Sequence, residues 1–133
     1  FDVQAYRARK YIGAYAFALG HVDAIVFTAG VGEMSPELRE PVLQGLDEFG
    51  IVLDHDANLK AKNRNREFII SKPESKIKVF VIPTDEEIVF VEDVVAIIEN
   101  RYDTHDKFEY TFQRSDYVNK IREEALKKEA ARK

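Results

Sequence analysis

Residues 24–36, AIVFTAGVGEMSP, decide the fold. Ala24-Ile25-Val26-Phe27-Thr28 is a short run of β-formers that closes on Ala29-Gly30. A run apolar throughout predicts a strand buried on both faces, as in a parallel or mixed sheet covered by helices. A helix follows the glycine turn: Ser35 is a good N-cap, and Pro36 suits the first helical position, where a missing N–H costs nothing. Glu37 adds negative charge to its first turn, and Leu38, Val42, Leu46 and Phe49 mark a buried stripe that Gly50 ends.

Upstream, residues 2–21 place Ala5, Ala8, Ile12, Tyr15 and Leu19 at spacings of three and four, the pattern of a helix with one broad apolar face. Downstream, Ile51-Val52-Leu53 and Phe68-Ile69-Ile70 are short strand candidates separated by the polar stretch 54–67, and residues 72–75 form a turn. Lys78-Val79-Phe80-Val81-Ile82 is a second strongly apolar strand, stopped by Pro83. The third helix starts at Thr84-Asp85-Glu86-Glu87, where Thr84 and Glu87 have capping-box spacing, and Ile88, Val91, Val95 and Ile98 carry its apolar face. Strands alternating with helices predict an α/β fold with a mixed sheet flanked by helices.

The composition sets limits. A chain of 133 residues suits about one domain. At 45% hydrophobic residues it is too apolar for wholesale disorder. No apolar run approaches the ~20 residues of a membrane span. Zero cysteines exclude a disulfide framework and any Cys-based metal site. A net charge of −4 argues against a nucleic-acid binder, which needs a basic footprint. Residues 1–100 carry net −6 and residues 101–133 net +2, which sets off 101–133 as a charged C-terminal extension, helical from about 116 with Tyr117, Ile121 and Leu126 as its anchors. Phe1 falls inside a helix pattern, and the only methionine is Met34, so the chain is expected to be a piece of a longer protein with apolar surface left exposed.

Two places can carry chemistry. In Phe27-Thr28-Ala29-Gly30-Val31-Gly32-Glu33, glycines at the end of a strand let backbone N–H groups approach a ligand ahead of a helix. The spacing lacks the third glycine of a dinucleotide fingerprint, and no Gly-Lys-Ser/Thr follows, so pattern alone favours a tight structural turn. The second place is Glu86, with Asp85 beside it, just past the C-terminal end of an apolar strand, where open α/β sheets place ligands. A carboxylate there could hold Mg²⁺, which takes only one or two carboxylates and keeps several waters. Pattern alone favours the alternative that the acidic group answers the helix dipole. His21, His55 and His105 sit far apart in polar settings and read as solvated surface residues. Tyr6, Tyr11 and Tyr15 read as partly buried core or a subunit contact.

Residues 10–15 (KYIGAY), 22–33 (VDAIVFTAGVGE) and 82–87 (IPTDEE), in this order and at these separations, closely resemble acetate kinase over roughly residues 1–100. The resemblance implies the C-terminal portion of that family's chain, part of a ribonuclease H-like domain of the acetate and sugar kinase, heat-shock cognate and actin superfamily. It implies transfer of the ATP γ-phosphoryl group to acetate, reversibly giving acetyl phosphate and ADP, with Mg²⁺, in a cytoplasmic homodimer. It implies that Gly30, Val31, Gly32, Glu33 and Met34 line the adenosine side of the ATP site and that Glu86 is the carboxylate associated with Mg²⁺. Met34 and Asp85 depart from the family, which usually has Asn at both places. The family's arginines, histidine and catalytic aspartate lie upstream, so no catalytic residue is expected among these 133, and the segment alone is expected to be inactive. Residues 101–133 extend past where the family's chain is expected to finish. Two alternatives stay open: a propionate or butyrate kinase segment, and a non-catalytic nucleotide-binding or protein-interaction module.

Overall fold

A computed structural model describes residues 2–104 and 107–131. Contacts divide the chain into two units, Phe1–Pro83 and Thr84–Lys133.

The first unit runs α1 (Asp2–Leu19), β1 (Ala24–Phe27), α2 (Ala29–Met34), α3 (Pro36–Leu43), α4 (His55–Lys60), β2 (Phe68–Ile69) and β3 (Lys78–Val81). β3 is central. β1 pairs with it in parallel, Ala24 opposite Lys78 and Phe27 opposite Val81, and β2 pairs antiparallel, Phe68 opposite Val81. The parallel pairing requires a long crossover, and α2, α3 and α4 lie within it. The mixed sheet flanked by helices is the α/β class read from the sequence. The core is built from Val42 and Leu43 of α3, Val79 and Val81 of β3, and Ile51, Leu53, Ala61 and Ile70, with Ala5 reaching in from α1.

Several local expectations change. β1 is an edge strand and is not buried on both faces: Ile25 and Phe27 pack on the core, while Ala24 and Val26 stay exposed. Ser35 does occupy the N-cap and Pro36 opens α3, but the Ser35 hydroxyl donates to the Glu37 carboxylate (3.2 Å) and caps no amide. α3 ends at Leu43, because Gly45 turns the chain at φ 69°. A separate 3-10 turn then spans Asp47–Phe49, closed by Gly50 at φ 84°. Leu46 therefore only borders the core, and Phe49 is exposed. The polar stretch 54–67 contains α4, whose first turn is capped by Asp54 accepting from the Ala57 amide (2.9 Å). In α1, Ala5, Ala8 and Ile12 meet the core, whereas Tyr15 and Leu19, together with Tyr6 and Tyr11, are exposed.

The second unit holds α5 (Glu86–Ile98), a 3-10 turn at Thr111–Gln113, and α6 (Lys120–Ala130). The expected capping box shifts register: α5 starts at Glu86 with Asp85, not Thr84, as N-cap, and the Asp85 side chain makes no cap bond. The Asp85 carboxylate instead accepts from Asn119 Nδ2 at 2.6 Å, while Asn119 Oδ1 caps α6 through the Arg122 amide (3.0 Å). Tyr102, Phe108, Tyr110 and Phe112 form a row of successive ring contacts, with centroids 4.8–5.4 Å apart. Tyr110 is buried and donates to Asp93 (2.8 Å), and Thr111 donates to Glu92 through both its amide and its hydroxyl. Of the α5 face, Ile88 is half-buried, Val91, Val95 and Ile98 are exposed, and the buried residue is Ala96. In α6, Ile121 points to solvent, while Tyr117 before it and Leu126 are half-buried.

Candidate functional site

At the end of β1 the chain makes a sharp change of direction. Thr28 is extended (φ −147°, ψ 179°), Ala29 sits in the left-handed region at φ 59°, and the backbone then winds into α2. The glycine segment is therefore a six-residue helix and not an open turn. An alanine in the left-handed region costs about 1–2 kcal/mol, and such strain gathers at functional places. The strained residue is Ala29, and neither glycine has a positive φ.

The two glycines differ. A Cβ on Gly32 would lie 3.4 Å from the Phe27 carbonyl carbon, in van der Waals contact with the end of β1. A Cβ on Gly30 would meet nothing within 4 Å. Gly30 is exposed and helical, where glycine costs roughly 1 kcal/mol against alanine. No contact inside the fold explains it, and the same holds for Gly13 within α1. Val31 and Met34 are exposed on the same helical face, three residues apart. Glu33 is the exception: its side chain is fully buried and its Oε2 pairs with Arg64 Nε at 3.2 Å.

Behind this helix lies a group the sequence pattern did not flag. Arg39 is completely buried. Its Nε donates to Asn58 Oδ1 (2.8 Å), Nη1 to the carbonyls of Gly32 (2.6 Å) and Glu33 (3.1 Å), and Nη2 to those of Asn58 (3.0 Å) and Ala61 (2.8 Å). A guanidinium has five N–H donors, and here five bonds engage it. Four of the acceptors are main-chain carbonyls at the ends of α2 and α4, where intrahelical donors run out, and the fifth is the Asn58 side chain. One cation thus closes the negative ends of two helices. Asn58, also fully buried, adds a bond from Nδ2 to the Pro36 carbonyl (3.2 Å). Burial pulls the Arg39 pKa below its ordinary value, opposed by nearby Glu37. Glu37 itself lies below the usual carboxylate range, chiefly because Lys62 donates to it at 2.9 Å. Arg39 stands three residues before Val42 on the apolar stripe of its helix, and that position is the signal that could have revealed it.

Glu86 is built differently. It is the first residue of α5, exposed, and no hydrogen bond or ion pair of the described residues engages its carboxylate. Asp85 beside it is held by Asn119. Among the described residues no group of three or more His, Asp or Glu is placed to hold a metal. A single free carboxylate at a helix start fits a cation that keeps most of its waters, as Mg²⁺ does, and does not fit one that needs a full protein cage.

The remaining residues singled out from the sequence are accounted for. His21 pairs with Asp23 (2.7 Å) and His55 with Glu40 (3.0 Å), both exposed, while His105 lies outside the described residues. The first unit also holds an apolar groove of about 620 Å³ lined by residues including Tyr11, Ile12, Tyr15, Phe49, Ile51 and Ile77. No helix among the described residues is long and apolar enough to cross a membrane.

Comparison with known proteins gives a concordant result. A model of the acetokinase family matches residues 1–92. The acetate kinase of Geobacter sulfurreducens is 55% identical over 119 residues, covering 90% of this chain and 28% of that protein. The acetate kinase of Treponema pallidum is 48% identical over 130 residues, covering 97% of this chain and 29% of that protein, so most of segment 101–133 has a counterpart there. Among solved structures, the acetate kinase of Porphyromonas gingivalis superposes with a TM-score of 0.60 at 47% identity, covering 71% of this chain and 23% of that one. The chain therefore spans a little over a quarter of the length of these curated relatives.

Proposed function

The chain belongs to the acetokinase family, and from that premise we propose that it supplies the nucleotide-facing segment and the metal carboxylate of an acetate kinase. The complete enzyme would transfer the γ-phosphoryl group of ATP to acetate, reversibly giving acetyl phosphate and ADP. The family match over residues 1–92 carries this reading, and the open space beside Gly30, with Val31 and Met34 exposed on the same helix, supports it. In the proposed site Gly30, Val31, Gly32 and Met34 present backbone and apolar surface to the adenosine, and Glu33 contributes main chain, its carboxylate being turned inward. Met34 offers a thioether where the family usually has an amide, so contact there is apolar.

Glu86 would hold Mg²⁺, with water and the nucleotide's phosphates filling the other positions. Mg²⁺, when bound, neutralises charge on the phosphoryl group in transfer. Asp85, engaged by Asn119, orients no cation in this scheme. The residues that would act directly on the transferring group belong to the rest of the kinase, so these 133 residues alone make no acetyl phosphate. The complete protein is proposed to be a cytoplasmic homodimer, and the exposed aromatic face of α1 supports the dimer.

The test uses the complete protein that carries this chain, assayed for acetate-dependent ADP formation. Gly30→Leu should raise KM for ATP by about tenfold, by filling the space a base or ribose needs, without lowering Tm. An unchanged KM for ATP would remove the nucleotide reading. Propionate or butyrate outrunning acetate in kcat/KM would assign a sibling kinase, and no turnover with any of them would favour a binding module.

A further inference from the structure

We propose that Arg39 is a positioning residue of the nucleotide site, setting the place of α2 from behind. The inference rests on the reading of Gly30–Met34 as nucleotide-lining, and it goes further by naming what fixes that surface.

A site made from backbone has no side chain that can adjust to a ligand. Its contribution depends on where the helix stands, and an error of about 1 Å can cost a reaction on the order of a hundredfold. α2 is only six residues long and begins on a strained Ala29, so it has little stability of its own. Its last carbonyls would face a dry interior with no intrahelical donor. Arg39 supplies donors to two of them, Gly32 and Glu33, and with its other bonds grips Asn58 and Ala61 at the end of α4. The guanidinium is planar and its donors sit in a fixed fork, so it transmits one spacing between the two helix ends. Lysine has the charge but not the fork. No atom of Arg39 reaches solvent, so it acts on a ligand only through α2.

The test is steady-state kinetics on the complete protein with Arg39→Lys, run beside Gly30→Leu. Arg39→Lys is expected to raise KM for ATP by about tenfold while KM for acetate holds, because the displacement falls on one substrate's surface. Hydrogen exchange should quicken at the Ser35 amide, which closes on the Val31 carbonyl at 3.1 Å, and remain slow at Val79 in the central strand. A general loss of structure would instead lower kcat and disturb both KM values together. If Arg39→Lys does not fold, Asn58→Ala decides: it removes the Nε acceptor and the bond to the Pro36 carbonyl, keeps the four carbonyl bonds of Arg39, and should raise KM for ATP by about threefold. A folded variant with unchanged KM for ATP overturns the positioning role. Should Gly30→Leu be silent as well, the nucleotide reading falls with it, whereas an effect of Gly30→Leu alone leaves that reading standing and removes only Arg39.

Discussion

Behind the segment Thr28–Met34 stands a buried guanidinium with five donors engaged, and at the first turn of α5 stands a carboxylate with no partner among the described residues. The proposed function gives the first an adenosine to face and the second a magnesium ion to hold, yet they are built in opposite ways. A surface that offers main chain must be fixed by the protein, since it has no freedom to adapt. A carboxylate meant for a hydrated cation must keep its lone pairs unspent, so the protein does best to leave it alone. The comparison predicts that substitutions behind α2 act on folding and those at Glu86 do not.

The largest effect should come from Arg39→Met. The change leaves the carbonyls of Gly32, Glu33, Asn58 and Ala61 without that donor, and a buried acceptor left unsatisfied costs about 1–3 kcal/mol. Against a total stability of about 5–15 kcal/mol, that is enough to lower the folded population visibly. Urea unfolding should show the midpoint fall without a change in slope. A loss below about 1 kcal/mol would mean that the bonds are incidental, and the contrast with Glu86 would lose its first half.

Ala29→Gly should move stability the other way, by about 0.5–1 kcal/mol. Glycine removes the left-handed strain at φ 59° but adds freedom to the unfolded chain, so the net gain is smaller than the strain itself. A rise in Tm is the expected reading. A fall would show that the Ala29 methyl makes a contact worth more than its strain, and that the turn into α2 is held by packing as well as by Arg39.

How much of this was legible in the sequence depends on whether the cause was local. β1, β3, the Ser35-Pro36 helix start and the α/β alternation follow from short-range patterns, and they stand. The periodicity of α5 says which residues are apolar but not whether anything covers them, so Val91 and Ile98 were assigned to a face that proves exposed. α4 was missed because its residues are polar, although Asp54 at its cap was a usable sign. At the candidate sites the glycines and Glu86 were visible as types in positions. Arg39 showed only through its place on the apolar stripe of α3, since a charged residue on a helix reads as solvated until its acceptors, 19 to 22 residues away at Asn58 and Ala61, are known. The Asn119–Asp85 bond spans 34 residues and leaves no local trace.

The second unit offers a pH test that leaves Glu86 untouched. Burial, with the hydrogen bond to Asp93 next, holds the Tyr110 hydroxyl well above the ordinary tyrosine range. A raised pKa means that the folded state keeps a proton the unfolded chain releases near pH 10. The contribution is complete below that pH and disappears as pH climbs through the folded value. Unfolding followed by circular dichroism should therefore show no dependence on this group at pH 7 and a decline above about pH 10. Tyr110→Phe should flatten the alkaline decline while lowering Tm at neutral pH. An unchanged alkaline slope in the variant would assign the decline to other groups.

The smallest effect on folding should be that of Glu86→Gln. The carboxylate is exposed and engaged by nothing among the described residues, so neutralising it removes only its attraction to the helix start, and stability should stay within about 0.5 kcal/mol. The same change should strongly weaken the response to magnesium. At fixed ATP, the Mg²⁺ concentration giving half-maximal rate should rise by about tenfold or more, and the thermal stabilisation by magnesium nucleotide should shrink with it. The two readouts have to separate for the comparison to hold. Loss of stability with the magnesium response intact would make Glu86 a structural cap, in which case both sites would be built alike and the free carboxylate would have no part in metal binding.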